Sequence, residues 1–182
     1  RRYRSLVEFR ESIREIVRQG LVDIMLMSAS TSEQLTITER LFDHSAVTPA
    51  VRANDTTDIW CGQTGSYKHQ PSLPFQTATI DQIQSGRNGC AEPERTSGAN
   101  LGLYSLTFNN HAERDRESLE RYKGFRLEAE AKGFRHFLEV FEPNAWGEHR
   151  VENVGAFVND CIVRALAGVT RSSRPGFLKI PY

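Results

Sequence analysis

The chain has 182 residues, 38% of them hydrophobic and 25% charged, which is the composition of an ordinary globular protein with apolar content for one sizeable core. Its 23 basic and 23 acidic residues cancel, so a general electrostatic footprint for nucleic acid or an anionic membrane is excluded and any charged ligand must be recognised locally. Three widely spaced cysteines, Cys61, Cys90 and Cys161, argue against a disulfide framework or a structural zinc site, and no apolar run approaches the roughly 18 to 20 residues that span a bilayer; the expectation is a cytoplasmic protein in a reducing compartment.

Leu6, Val7, Ile13, Ile16 and Val17 recur at near-helical spacing and Gly20 follows as a helix stop, so residues 4–19 are predicted to form an amphipathic helix with its apolar stripe against a sheet. Residues 21–27 are an almost unbroken apolar run, the pattern of a strand covered on both faces. Ser30 and Glu33 have capping-box spacing for a second helix through Leu35, Leu41 and Phe42. Short strands are predicted over 46–51 and 57–61. Residues 62–100 carry Gly62, Gly65, Pro71, Pro74, Gly86, Gly89, Pro93 and Gly98 without a sustained period, which predicts a long irregular insertion broken only by a short helix near Ile80–Ile83.

Regular order returns at 101–108, a strand ending in Asn109-Asn110-His111, followed by a charged helix through Leu119, Tyr122, Phe125 and Ala129 that Gly133 closes. A strand over 137–142 stops at Pro143. Val151, Val154, Phe157, Val158, Cys161, Ile162, Ala165, Leu166 and Val169 make the strongest helical stripe, and the last strand begins at Phe177.

Alternation of strand and helix at intervals of about 35 to 41 residues suits right-handed βαβ units in one parallel sheet. No Gly-x-Gly-x-x-Gly or Walker-type loop follows any strand, which leaves a parallel (β/α)8 TIM barrel as the expected fold. Such barrels need about 250 residues. Arg1 as a first residue and a last strand that stops at Tyr182 are read as the ends of a piece of a longer chain, a single partial barrel domain over 1–182 with an insertion at 62–100.

Active groups of such barrels gather at the C-terminal ends of the strands. The candidates there are Ser28 and Ser30, Arg52 with Asn54 and Asp55, Asn109 to His111, Glu139 and Glu142, and Lys179 with Tyr182. Lys179 stands out, because the chain has only four lysines against 19 arginines and this one lies between Leu178 and Ile180 in a strand expected to be buried. Desolvation would supply the neutral amine that attacks a carbonyl, and a carboxylate on the preceding strand could move protons during imine formation and carbon–carbon cleavage. Glu142, at the strand's end beside Pro143, is preferred for that role over Glu139, whose parity with Phe137 and Phe141 suggests a structural partner of a cation. Cys161 is expected in the core, and no histidine pair has ligand-like spacing, so no metal or other cofactor is expected.

Phe177-Leu-Lys-Ile-Pro-Tyr182 and Leu138-Glu-Val-Phe-Glu-Pro143 resemble the sixth and fifth strands of the class I (Schiff-base) aldolase superfamily, which includes the deoxyribose-phosphate, tagatose-bisphosphate and archaeal-type fructose-bisphosphate aldolases. The resemblance covers roughly residues 101–182. It implies Lys179 as the imine-forming nucleophile, Glu142 or Glu139 as acid/base, and a sugar or sugar-phosphate substrate for which Asn109, His111, Arg52 and Tyr182 are binding candidates. The family's first-strand aspartate has no counterpart in the chain. A lyase acting through a lysine Schiff base is therefore the leading expectation. The alternatives are a barrel that binds a small phosphorylated or sugar ligand without this chemistry, or an isomerase-like one, and a protein whose insertion makes a homo-oligomer contact.

Overall fold

The computed structural model describes residues 5–56, 66, 69–146 and 150–180. The fold is α/β, with a sheet of five strands in the order β1-β2-β5-β6-β7: β1 (Ile24–Met27), β2 (Thr48–Arg52), β5 (Leu101–Thr107), β6 (Arg135–Phe141) and β7 (Leu178–Lys179). A parallel α/β sheet of this kind is compatible with part of a β/α barrel, and a closed eight-stranded barrel is not present among the described residues. The chain divides into two compact units, one made of residues up to Ala53 with Ala78–Gly102, the other of Asn54–Thr77 with Leu103 onward.

In the first unit, α1 (Leu6–Gln19) starts at Ser5, whose hydroxyl accepts the Glu8 N–H at 3.2 Å, and ends where Gly20 takes φ +64° and donates to the Ile16 and Val17 carbonyls. Its apolar stripe is buried only in part: Ile13 and Val17 pack against Met27, Leu35, Phe42 and Val47, while Leu6 and Val7 in the first turn are exposed. The first strand is shorter and less covered than its apolar run suggests. Only Met27 is fully buried, because β1 is the outermost strand of the sheet, paired on one side to β2 in parallel register with Ile24 opposite Thr48.

The second helix begins at Ser28, not at the Ser30 capping box. Met27 ends the strand, so Ser28 is the first residue free to turn, and its hydroxyl accepts the Thr31 N–H at 3.3 Å. The helical turn α2 (Ala29–Ser32) runs on as a π-helix over Glu33–Thr38, placing Leu35 in the core. The stretch 78–100 is more ordered than expected, and its one α-helix lies where a short one was expected, near Ile80–Ile83. There α3 (Ile80–Ser85) carries a full capping box between Thr79 and Gln82, a 3₁₀ turn covers Glu92–Thr96, and Ile80, Ile83 and Ala99 are fully buried. Six helical residues are too few to show a period against so many glycines and prolines. The predicted strand at 57–61 lies outside the described residues; beside it, β3 (Asp55–Thr56) and β4 (Pro74–Phe75) pair antiparallel.

All seven residues of β5 are buried; in the second unit, which takes this strand from Leu103, α4 (Ala112–Ala131) packs back over the strands. Tyr104 stacks on Phe125 with ring centres 4.6 Å apart and lies 5.1 Å from Tyr122, while His136 meets Phe125 edge-on at 5.2 Å. Because strand side chains alternate, these contacts fix the even-numbered positions of β5 and β6 toward α4 and the odd-numbered positions toward the opposite face. α5 (Val154–Leu166), capped by Asn153, leads to β7, which pairs parallel to β6 with Leu138 opposite Leu178 and Glu139 opposite Lys179.

Candidate functional site

The register of β6 and β7 makes the site. Phe137 and Phe177 stack at 4.5 Å with their rings 16° from parallel, and two residues further along both strands the same face presents Glu139 beside Lys179. Lys179 Nζ donates to Glu139 Oε1 in an ion pair. The second carboxylate oxygen, Oε2, accepts from the Ser105 hydroxyl at 3.1 Å. Ser105 sits on the odd face of β5, away from α4, and its backbone is gripped by Asn54: the Ser105 N–H donates to Asn54 Oδ1 at 2.6 Å, and Asn54 Nδ2 donates to the Ser105 carbonyl at 2.9 Å. Asn54, Ser105 and Glu139 are all buried, so a chain of satisfied polar groups runs from just beyond β2 through β5 and β6 to the lysine on β7.

Glu139 keeps only 4% of its surface exposed and is held by one cation and one hydroxyl. The lysine end is wetter than expected. Its side chain is 55% exposed, because β7 contributes only two paired residues at the edge of the sheet order and Phe177 to Ile180 are exposed. Such an arrangement offers an amine that a soluble carbonyl compound can reach, next to a buried carboxylate whose other oxygen is held by the buried Ser105 hydroxyl. The pair can exchange a proton without either partner leaving its seat.

The structure brings Glu139 to Lys179 and does not bring Glu142 there. Glu142 shares the even parity of Leu138 and Val140, so it emerges toward the helix layer, where it lines a cavity of about 140 Å³ with Val154, Val158, Asn159, Ile162 and Ile180. Asn109 and His111 follow the C-terminal end of β5. The side-chain oxygen of Asn109, Oδ1, accepts the Asn144 and Ala145 N–H groups at 3.0 and 2.9 Å, tying the loop after β5 to the loop after β6. Asp115 braces the same turn by accepting the Asn109 and His111 N–H groups at 2.9 and 3.1 Å, and Asn110 takes φ +57° between them. Burial pushes the Asp115 carboxyl up despite those two donors. Asn109 Nδ2 and His111 Nδ1 are buried without a hydrogen-bond partner, the one feature of this turn suited to meeting a ligand. Arg52 closes β2, half-buried, in the other compact unit, and Tyr182 lies outside the described residues.

Cys161 lies half-buried on α5, and burial, with the charges of Asp115 and Asp160, pushes its thiol up to about 12, so it is no nucleophile at neutral pH. Among the described residues no three His, Cys, Asp or Glu side chains converge as a metal site requires, and no helix is long and apolar enough to cross a membrane. Sequence reasoning missed Ser105 and undervalued Asn54. The sequence does carry a signal for Ser105, a small hydroxyl between Leu103 and Thr107 on the odd face of a largely apolar strand. Asn54 is polar in a polar stretch and carries no such signal.

No protein-family model matches the chain, and no curated protein is significantly similar to it.

Proposed function

We propose that the protein is a class I aldolase-like lyase, in which Lys179 forms a Schiff base with a sugar or sugar-phosphate carbonyl and Glu139 moves the protons. The observation that carries this reading is the in-register Glu139–Lys179 pair on the face of the sheet opposite α4, with an accessible amine and a buried carboxylate. In the reaction, Lys179 passes a proton to its surroundings and its amine adds to the carbonyl carbon. The carbonyl oxygen takes up two protons and leaves as water, giving an iminium. That cation accepts the electron pair of the breaking carbon–carbon bond as an enamine, while the substrate's β-hydroxyl loses its proton and becomes the carbonyl of the released aldehyde. Protonation of the enamine carbon and hydrolysis of the imine return the free lysine. Glu139 is the group within reach to relay these protons.

The ion pair also favours a second reading, a β/α scaffold in which Lys179 only neutralises Glu139 and a small phosphorylated or sugar ligand is bound without covalent chemistry. Steady-state assays of aldol cleavage over a panel of sugars and sugar phosphates separate the two. Lys179→Arg abolishes turnover, since arginine keeps the charge but supplies no neutral amine. Glu139→Gln lowers kcat by about 10²-fold or more with a smaller change in KM, and Glu142→Gln stays within a few-fold of the parent. Loss of turnover in Glu142→Gln with Glu139→Gln active would transfer the proton-relay role to Glu142. Failure of every substrate would favour the binding scaffold.

A further inference from the structure

We infer that Ser105 is a positioning residue for proton transfer, clamped by Asn54 and aiming the Glu139 carboxylate at whatever is bonded to Lys179. The inference rests on the aldolase reading above and adds a residue to it. Three observations carry it. Ser105 is completely buried, and its hydroxyl donates to the carboxylate oxygen that Lys179 does not use, so Oε1 and Oε2 have separate partners and the carboxylate plane is fixed by both. A serine hydroxyl rotates freely about its Cβ–Oγ bond, and it can aim a partner only if its own backbone is immobile. Asn54 supplies that: it binds both the N–H and the carbonyl of Ser105, at 2.6 and 2.9 Å, and also donates to the Asp55 carbonyl at 3.3 Å. The two bonds it makes to Ser105 are reciprocal, so the side-chain amide cannot flip without losing both.

The consequence follows from the timing of charge. Once the lysine nitrogen is bonded to substrate carbon, it no longer offers the carboxylate three rotatable N–H donors, and the Glu139–Lys179 ion pair is weakened as a restraint. Ser105 is then the remaining fixed donor to Glu139. Without it, the carboxylate is free to rotate away from the carbon that gains or loses a proton, and proton transfer slows while imine formation at equilibrium is spared.

The experiment uses the whole chain with acetaldehyde and dihydroxyacetone as probes, comparing the wild type with Ser105→Ala and Ser105→Thr. Two quantities are read: the amount of probe trapped on Lys179 by borohydride at equilibrium, and the rate at which protons next to the probe carbonyl exchange with D2O, followed by NMR. Ser105→Ala is expected to trap within about twofold of the wild type and to exchange about tenfold or more slowly, and Ser105→Thr, which keeps the hydroxyl, to recover most of the rate. Should Ser105→Ala fail to fold, Ser105→Cys replaces it, since cysteine keeps the size and weakens the donor. Exchange at the wild-type rate in the Ala or Cys variant, or a Thr variant as slow as either, would show that Ser105 only fills space. Absence of a Lys179 adduct in the wild type would instead remove the aldolase reading, and this inference with it.

Discussion

His136 shows how far burial can act on one side chain in this unit. It sits in an aromatic pocket, bonded through Nε2 to the Tyr122 hydroxyl at 3.0 Å, and burial, helped by the nearby Arg126 guanidinium, pushes it down to about 4. The unfolded chain takes up a proton near the ordinary value of about 6.5, whereas the folded chain does so only near 4. Stability is therefore lost as pH falls from about 6.5 to about 4 and levels off below, by an amount on the order of 2–3 kcal/mol. Urea titrations at several pH values should show this slope, and His136→Gln should flatten it across that window; an unchanged slope would mean that His136 titrates normally. At the same scale Lys179 stands out in the sequence as one of only four lysines, but the burial expected of its strand is not found, since its side chain is 55% exposed. The preference for Glu142 rested on its position at the strand's end, whereas the residue the structure sets opposite Lys179 is Glu139. With Glu139 opposite Lys179, period two alone sends Glu142 to the other face.

At the scale of elements, the long strands and helices were readable because burial on one face writes a period into them. α1, α4, β5 and β6 stand within a few residues of expectation, and Gly20 and Gly133 mark helix ends with φ of +64° and +62°. Short elements were less readable: α3 was expected only as a short helix near Ile80–Ile83, and it is held by its cap and by packing that only the folded chain supplies. Gly98 is an instance of that packing. Its N–H donates to the Gln84 carbonyl at 2.7 Å, and a Cβ there would clash with the Ile83 carbonyl oxygen and lie 2.9 Å from the Gln84 carbonyl group. All of these are backbone atoms and cannot turn aside. Gly98→Ala should therefore lower stability by about 2 kcal/mol or more, measured by thermal or urea unfolding, and a neutral effect would contradict the close approach. The turn after β5 makes a second test. Asn109→Ala strands the Asn144 and Ala145 N–H groups, one of them fully buried, and should cost about 1–3 kcal/mol. Asn109→Asp retains an acceptor for both and should recover part of that loss; if it recovers none, the brace is not what Asn109 provides.

For the whole molecule, alternating strands and helices with no nucleotide-binding loop pointed to a parallel β/α architecture, and the five-stranded sheet agrees with that coarse expectation. The order of its strands could not be read from periodicity, since pairing partners are chosen by tertiary contacts. Ser105, Glu139 and Lys179 all lie in the C-terminal part of the chain, while Asn54 comes from a distant part of the sequence. If Lys179 becomes covalently bonded to substrate as proposed, borohydride reduction captures the bond. The intact protein is incubated with sugar phosphates, dihydroxyacetone and small aldehydes, reduced, digested and mapped by peptide mass spectrometry. One added mass is expected on the peptide bearing Lys179, absent from the Lys179→Arg variant whose fold is verified by circular dichroism. Adducts spread over Lys68, Lys123 and Lys132, or no Lys179 adduct with any compound, would contradict it.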